Sequence, residues 1–368
     1  MSAPACLEIF VGCYERTTLG YEVIENEDSF EIKAKFTDNS HIGYVKTVAA
    51  NRTFLATGST DETIHLYNLK TNRELGALLQ HAGSITSLCF HGDSHMLSSG
   101  TDGTLCIWNT ESWELMKSLR AHKGGVNSLA VHPSGKLALT AGHDMSLRTW
   151  NLIKGRVAYT TNMKQSADLV SWSPDGELYI VILNSIINIY DITTATISCS
   201  IDCSKRVLAV AFLTNRILAV GGEGETVQLF EISKGKPTCK CEFKAHENRV
   251  KGLAVTSDRS SQPKENCMWL VSVSSDSFLK VWSVNIEELG EPSLLASVDT
   301  TARLTCVAVR PTITQSSLEK TLEKQTDSKA SIVKASITKE EGPSVKRKSA
   351  GPKQDLKKKK IRSKKQTP

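Results

Sequence analysis

One short strand pattern recurs seven times along the chain and constrains the fold more than any other feature. Each copy has an apolar residue, two variable residues, a second apolar residue and usually a small one. A strand-like unit repeating about every 40 residues predicts the blades of a β-propeller, because one four-stranded unit cannot bury its own faces. The steps between copies are 40, 41, 43, 38, 43 and 54 residues, and the copies begin at Val45, Ile85, Val126, Leu169, Val207, Val250 and Leu304.

A second marker keeps the same phase as the first. A tight turn that opens with an acidic residue precedes an alternating strand that ends in an aromatic residue. Weaker copies end at Tyr190 and Phe230, and a polar insertion at residues 257–266 accounts for the long last step. The clear copies pair Asp61 with Tyr67, Asp102 with Trp108, Asp144 with Trp150 and Asp276 with Trp282.

A third marker is a histidine ahead of four opening strands, at His41, His81, His122 and His246. Histidine, turn aspartate and strand aromatic at this spacing resemble the WD-repeat family. The resemblance implies that each histidine is buried and bridges a strand hydroxyl and the turn carboxylate, with the aromatic residue nearby. Such a network fixes the turn when every polar group in it is satisfied. Repeats four, five and seven lack the histidine, so we expect those blades to be less rigid; they carry Gln165, Cys203 and Thr300 at that offset.

The two ends of the chain complete each other. Segments 7–14, 19–24 and 30–36 are typical of strands without an opening strand, whereas segment 303–309 is an opening strand without partners. We therefore predict an all-β fold, a seven-bladed propeller at residues 1–311 in which strand pairing between the ends closes the ring and removes open edges. Six blades with a separate N-terminal hairpin remain the alternative. The expected repeats are about 40–80, 81–121, 122–164, 165–204, 205–245 and 246–300, with 301–311 joined to 6–36.

Residues 312–368 differ from the rest in charge. They hold 16 Lys or Arg against 6 Asp or Glu, so the remainder of a chain of net charge +6 carries about −4. Few apolar residues occur there, which predicts a disordered tail. Two basic clusters predict import into the nucleus, retention in the nucleolus and nonspecific contact with RNA, unless the tail only aids solubility. The clusters are Lys346, Arg347, Lys348, Lys357, Lys358, Lys359, Lys360, Arg362, Lys364 and Lys365.

The motifs that could suggest catalysis or metal binding are better explained by structural roles. Segment 221–224 is glycine-rich, but no helix or lysine follows it to receive a phosphate, so a turn is expected. Segment 91–95 carries two histidines in a hairpin, and the pair Cys239 and Cys241 has no second ligand pair. We expect buried reduced cysteines, no cofactor and no enzymatic activity. Neither a secretory leader nor an apolar run near 18 residues is found, so the expected protein is intracellular, monomeric and not associated with a membrane.

One set of positions suggests a binding site. The residue three places after each histidine position should lie at one mouth of the central channel, and in repeats five to seven it is an arginine. Guanidinium groups bind carboxylates and phosphates with two hydrogen bonds, so this arc predicts docking of an acidic or phosphorylated segment. Alternatively, the arginines pair with carboxylates of neighbouring blades. The positions are Tyr44, Ser84, Gly125, Asp168, Arg206, Arg249 and Arg303, and the arc includes Lys205, Lys123 and Asn248 nearby.

Longer strings narrow the resemblance to the family of p21-activated kinase-interacting protein 1 and its nucleolar relatives. That resemblance implies a non-enzymatic scaffold that binds the regulatory region of p21-activated kinases and restrains their activation by small Rho-family GTPases. It also implies a part in large ribosomal subunit assembly, alongside assembly factors. The alternative is a pre-ribosome assembly factor with no direct role in kinase signalling. The strings are residues 12–15, 58–67, 121–124, 132–139, 241–251 and 302–306.

Overall fold

The computed structural model describes residues 5–27, 29–233, 236–264 and 266–311. Across these ranges, 28 strands form seven antiparallel sheets of four strands each, which are the blades of a β-propeller. The predicted all-β fold is therefore confirmed. The first three strands are β1 Ala5–Cys13, β2 Thr18–Glu25 and β3 Phe30–Asp38. Blade one consists of β4 Val45–Ala50, β5 Phe54–Ser59, β6 Ile64–Asn68 and β7 Arg73–Leu78.

The middle blades follow in chain order. Blade two consists of β8 Ile85–His91, β9 His95–Gly100, β10 Thr104–Asn109 and β11 Leu115–Arg120. Blade three consists of β12 Val126–Val131, β13 Leu137–Gly142, β14 Ser146–Asn151 and β15 Arg156–Asn162. Blade four consists of β16 Leu169–Trp172, β17 Leu178–Leu183, β18 Ile186–Asp191 and β19 Ile197–Asp202.

The last blades end with the strand that closes the ring. Blade five consists of β20 Val207–Phe212, β21 Ile217–Gly222, β22 Thr226–Glu231 and β23 Thr238–Lys244. Blade six consists of β24 Val250–Ser257, β25 Cys267–Ser274, β26 Phe278–Asn285 and β27 Ser293–Asp299. The last strand is β28 Leu304–Pro311.

Blade seven joins the two ends of the described chain, in the strand order β28-β1-β2-β3. The alternative of six blades and a separate hairpin is therefore wrong. A buried carboxylate reinforces the junction, because Glu8 on β1 lies 2.5 Å from Arg310 on β28 and also contacts Lys35 on β3. Lys35 lies 2.5 Å from Glu22 on β2 as well. Two cations on the outer strands thus flank two carboxylates on the inner strands, and these four charged residues cross the whole sheet.

The apolar core lies between neighbouring blades rather than within one sheet. One cluster combines Val11 of blade seven with Trp269 and Val281 of blade six, and another combines Phe10 of blade seven with Leu55 of blade one. Most opening strands also contact the next one around the channel, as β28 contacts β4. A sheet in this ring buries both faces only when its neighbours are present, which is why the strand pattern must repeat.

Glycine allows the blades to approach one another near the channel. A Cβ atom on Gly58 of β5 would lie 2.5 Å from Cγ2 of Ile85, the first residue of the next opening strand. Gly221 of β21 meets Val250 in the same way, at 2.7 Å. Since real Cβ contacts are longer, an alanine at either position would push two blades apart.

Blade four departs from the predicted phase by two residues. Its opening apolar residue is Ala167, not Leu169. Asn127, the second residue of β12, donates from Nδ2 to the Ala167 carbonyl at 2.7 Å. Thr305, the second residue of β28, donates in the same way to the carbonyl of Val45, the opening residue of blade one. Val170 pairs with Val181, whereas the expected register pairs Trp172 with that strand position. This shift moves Asp168 from the mouth position into the second position of the opening strand, and Ser166 takes the mouth position.

Candidate binding face at the channel mouth

Four blades contain the hydrogen-bond network that the sequence markers predict. In blade three, His122 Nε2 lies 2.8 Å from Thr140 Oγ1, and His122 Nδ1 lies 2.8 Å from Asp144 Oδ1. Trp150 Nε1 donates to the same Thr140 hydroxyl at 2.9 Å. Because a carboxylate only accepts, the neutral histidine donates from Nδ1 and accepts the hydroxyl proton at Nε2. Blades two and six repeat this geometry with His81, Ser98, Asp102 and Trp108, and with His246, Ser272, Asp276 and Trp282.

Blade one alters the aromatic end of the network. His41 lies 2.9 Å from Asp61 and 2.8 Å from Thr57, as in the other blades. Tyr67 replaces tryptophan, and its hydroxyl donates to Asp38 at 2.7 Å. Asp38 is the last residue of β3, so this bond ties blade one to blade seven.

Burial and hydrogen bonding set the charges of these networks. Burial lowers the pKa of His41, His122 and His246, so the neutral form is favoured. Burial opposes ionisation of Asp61, but hydrogen bonds from Thr63 and from backbone N–H groups outweigh it and hold the pKa of Asp61 well below its usual range. Every polar group described in these networks has a partner, which favours a structural role over metal binding or catalysis.

The turns after the second strands hold the backbone at the channel mouth, which we define as the end of the channel where the opening strands begin. In every blade except blade four, the residue just before the opening strand accepts a hydrogen bond through its carbonyl oxygen from the turn after the second strand. The side chains at these positions therefore start from a fixed backbone. The bonds join Tyr44 to Thr60, Ser84 to Thr101, Gly125 to His143, Arg206 to Glu223, Arg249 to Ser275 and Arg303 to Tyr14.

Two of the three arc arginines pair with carboxylates. Arg206 Nη2 lies 3.1 Å from Asp168 Oδ1. Arg303 Nε lies 3.0 Å from Glu15 Oε1, and its guanidinium lies 4.4 Å from the centroid of the Tyr14 ring. Both pairs are partly exposed, so each contributes only about 0–1 kcal/mol to stability. The pairing alternative therefore describes Arg206, whose partner lies on neighbouring blade four, whereas Arg303 pairs within blade seven.

Arg249 differs from the other two. Its backbone N–H donates to Asn248 Oδ1 at 2.8 Å. Its guanidinium is exposed and forms no hydrogen bond or ion pair with the residues that the structure describes. Among the three arc arginines, Arg249 is thus the one whose charge no described carboxylate neutralises.

The arc residues fall into two cavities. Arg249 and Arg303 line a cavity of about 430 Å³ at the junction of blades six, seven and one. Lys205 and Arg206 line a separate cavity of about 250 Å³ on blade five. Lys123 lines neither of them, and its backbone N–H donates to Asp144 instead. The residues that were predicted to form one arc therefore lie in two separate cavities, with Lys123 outside both.

Two cations that the sequence analysis did not single out also line the larger cavity. Lys46 and Lys251 are the second residues of β4 and β24, the position from which side chains reach the channel. Burial lowers the pKa of both amines, and the charges of Arg249 and Arg206 lower that of Lys251 further. The repeat pattern could have identified them, because its first and fourth residues are buried in the core and leave the second free to face the channel.

The remaining sequence motifs are parts of hairpins and strand ends. His91 ends β8 and His95 begins β9, so the segment is the expected hairpin. Gly221 and Gly222 end β21 ahead of a turn. Within the described ranges, the cysteines are free and no group of three or more His, Cys, Asp or Glu could hold a metal ion. In the same ranges, no helix is long and apolar enough to cross a membrane. The basic clusters at 346–348 and 357–365 lie outside the described residues.

Seven four-stranded blades with a repeated histidine–hydroxyl–aspartate network define a WD-repeat β-propeller. A family model described as WD domain, G-beta repeat matches residues 72–109, 113–151 and 237–283. The chain is 48% identical over 309 residues to p21-activated protein kinase-interacting protein 1 of Homo sapiens, covering 82% of this chain and 77% of that protein. It belongs to the p21-activated protein kinase-interacting protein 1 family.

Two further relatives show how far the similarity extends. The p21-activated protein kinase-interacting protein 1-like protein of Danio rerio is 43% identical over 303 residues, covering 82% of this chain and 80% of the relative. Shk1 kinase-binding protein 15 of Schizosaccharomyces pombe is 27% identical over 280 residues, covering 75% of this chain and 77% of the relative.

Proposed function

We propose that this chain is a non-enzymatic scaffold that binds the regulatory region of a p21-activated kinase and restrains its activation. The observation that carries the proposal is the positively charged channel mouth, which a closed ring of blades holds in place. Relatives named for interaction with such a kinase supply the identity of the partner. A propeller with fixed loops suits binding, because little conformational entropy is lost when a partner docks.

The docking chemistry follows from the paired and unpaired cations. Arg249 offers an unpaired guanidinium to an acidic or phosphorylated segment. Arg206 and Arg303 hold Asp168 and Glu15 in weak, partly exposed pairs, so a partner can exchange its own anion for either carboxylate.

The same proposal includes a part in large ribosomal subunit assembly in the nucleolus. The support is the surplus of positive charge at residues 312–368, which suits nuclear import and contact with pre-ribosomal RNA. If the second cluster engages about seven phosphates, its RNA affinity falls by roughly three to four orders of magnitude between 50 and 200 mM salt. A second candidate function, favoured by that tail alone, is a purely pre-ribosomal factor.

Charge reversal at the mouth tests the kinase part. We expect the triple variant R206E/R249E/R303E to lose binding to the purified kinase regulatory region in calorimetric titration, with a melting temperature within a few degrees of the parent. The matched control is R52E/K70E/K136E, which reverses three exposed charges in the turns at the other end of the blades. Unchanged binding by the mouth variant would show that the arc is not the docking site.

Affinity purification from nuclear extract separates the two candidate functions. The full chain is compared with residues 1–311, each with and without RNase. Recovery of the kinase together with large-subunit assembly factors on residues 1–311 after RNase supports the scaffold. Recovery of assembly factors without kinase favours the purely pre-ribosomal function. Loss of every partner with the tail contradicts the scaffold and favours nonspecific RNA binding by the tail.

A further inference from the structure

We propose that the cavity at the junction of blades six, seven and one binds a phosphorylated side chain of a protein partner, held by Lys46, Lys251 and Arg249. The inference rests on the proposed function only in taking the partner to be a protein. It names the chemistry that the partner must present, and it assigns the binding to two channel lysines together with Arg249 rather than to the three arc arginines.

The fold brings these cations together from distant parts of the chain. Thr305 of β28 lies between the two lysine positions around the channel, because β28 contacts both β4 and β24. The Thr305 hydroxyl is already engaged, since it donates to the carbonyl oxygens of Gly12 and Val45. All three strands line the same cavity of about 430 Å³, which is larger than a phosphate group requires.

The charge balance of the cavity is the main argument. The side chains of Lys46, Lys251 and Arg249 form no hydrogen bond or ion pair with any residue in the described part of the chain. Glu15, which follows the cavity residue Tyr14, is held by Arg303. Glu223 acts on Lys251 only at a distance. Lys46 and Lys251 are half-buried, whereas Arg249 is exposed. Half-buried cations without a counter-charge cost free energy, and an anion in the cavity would recover it.

A phosphate matches this cavity better than a carboxylate does. Besides Arg303, which is paired with Glu15, three cations line it. A phosphorylated serine or threonine carries about −1.5 to −2 charges at pH 7 with three acceptor oxygens. A carboxylate supplies one charge and two oxygens. An amine on a flexible stem can adjust to a tetrahedral anion, whereas a guanidinium adds a planar pair of donors.

The aromatic residues of the cavity argue against a nucleic acid. The rings of Tyr14 and Tyr44 stack on each other, with centroids 5.2 Å apart and planes 19° apart. Arg303 also lies over Tyr14. Binding of single-stranded nucleic acid relies on aromatic faces that are open to bases. Here those faces are already occupied in part by protein groups.

Calorimetric titration of the full chain with N-acetyl-phosphoserine methylamide tests the inference. We expect binding at least tenfold tighter than that of the matched glutamate compound, and K46M/K251M should weaken it at least tenfold. The control K70M removes one exposed charge at the other end of blade one and should leave the affinity unchanged. Equal affinity for phosphoserine and glutamate, or for parent and double variant, would overturn the inference. So would tighter binding of a ten-nucleotide oligouridine that the double variant abolishes.

A measurement on the parent protein guards against misfolding of the variant. Lysine amines are labelled by reductive ¹³C-methylation, and the Lys46 and Lys251 signals are assigned from K46R and K251R. Inorganic phosphate should shift these two signals and leave that of Lys70 in place; no shift would overturn the inference. If phosphate binds here while the kinase regulatory region does not bind, the proposed partner is wrong and the inference stands. If the kinase binds equally well after phosphatase treatment and phosphate shifts nothing, the inference is wrong and the proposed function stands.

Discussion

Blades three and four are neighbours with the same sheet order, yet different chemistry holds them together. At one position of the second strand, blade three has Thr140, which bonds both His122 and Trp150, whereas blade four has Val181. Blade four instead stacks Tyr179 on Tyr190, with ring centroids 4.9 Å apart.

The same relation between the histidine and the residue at this strand position holds around the ring. In the described chain, each blade with a network histidine has Thr or Ser at this position, and each blade without one has valine. The residues are Thr57, Ser98, Thr140 and Ser272 with histidine, and Val11, Val181 and Val220 without it. A buried hydroxyl without a partner is costly, so the chain either keeps the whole network or replaces it with apolar contacts.

Removal of the last strand, β28, should lower stability most, because it affects blades with the histidine network and blades without it at the same time. A chain that ends at residue 303 lacks β28, which exposes the edge of β1 and leaves Glu8 without Arg310. We expect loss of a cooperative thermal transition, since the loss exceeds the roughly 5–15 kcal/mol that stabilises a typical domain. Differential scanning calorimetry measures this, with residues 1–311 as the control. A single sharp transition near that of the control would show that closure is dispensable.

Substitution T140V should have the next largest effect. Valine keeps the shape of the side chain but leaves His122 Nε2 and Trp150 Nε1 buried without partners. We expect a loss of roughly 2–6 kcal/mol in the free energy of unfolding, from about 1–3 kcal/mol for each of the two orphaned groups. Urea denaturation followed by tryptophan fluorescence gives the value. A loss below about 0.5 kcal/mol would mean that the network adds little to packing.

The reverse substitution in blade four, V181T, sharpens the comparison. No histidine lies beside Val181, so the new hydroxyl is buried without a designed partner. We expect a loss of about 1–3 kcal/mol, smaller than that of T140V because one polar group rather than two lacks a bond. The same urea experiment applies. Stabilisation by V181T would refute the idea that hydroxyl and histidine occur only together.

The smallest expected effect concerns the pH dependence of stability, to which blades with a network histidine contribute and blades without one do not. The folded-state pKa values of His41, His122 and His246 lie below the unfolded value, so the unfolded chain binds more protons below about pH 6.5. Stability therefore falls as the pH decreases from 7 towards the folded pKa values. We expect the slope of melting temperature against pH to decrease in H122Q. An identical slope would show that His122 does not contribute.

Blade phase and ring closure were predictable because apolar alternation, acidic turns and histidines all agree. The predicted phase of blade four was wrong for a physical reason. Both Ala167 with Val170 and Leu169 with Trp172 satisfy the strand pattern, and no histidine marks which pair faces the core. Only the bond from Asn127 to Ala167 and the strand register decide between them.

The binding face was less predictable than the fold. Its arginines can be placed at the mouth by counting back one residue from each opening strand, but their partners cannot be predicted, since Glu15 lies 288 residues from Arg303 in sequence. The positions of Lys46 and Lys251 follow from the repeat pattern, yet their lack of a carboxylate partner is visible only in the packed ring. The row of Glu8, Lys35 and Arg310 likewise depends on the pairing of distant strands.

Ring closure also sets an order of events during synthesis. Gly12 and Thr305, which meet in blade seven, are 293 residues apart. At roughly 5–20 residues per second, a ribosome needs about 15–60 s to make the intervening chain. Throughout that interval β1 exposes the edge that β28 later covers, together with an apolar face that includes Leu7 and Ile9. The first strands to emerge are thus the last to be protected, and a nascent chain of this protein should depend on chaperones for longest at its N-terminal end.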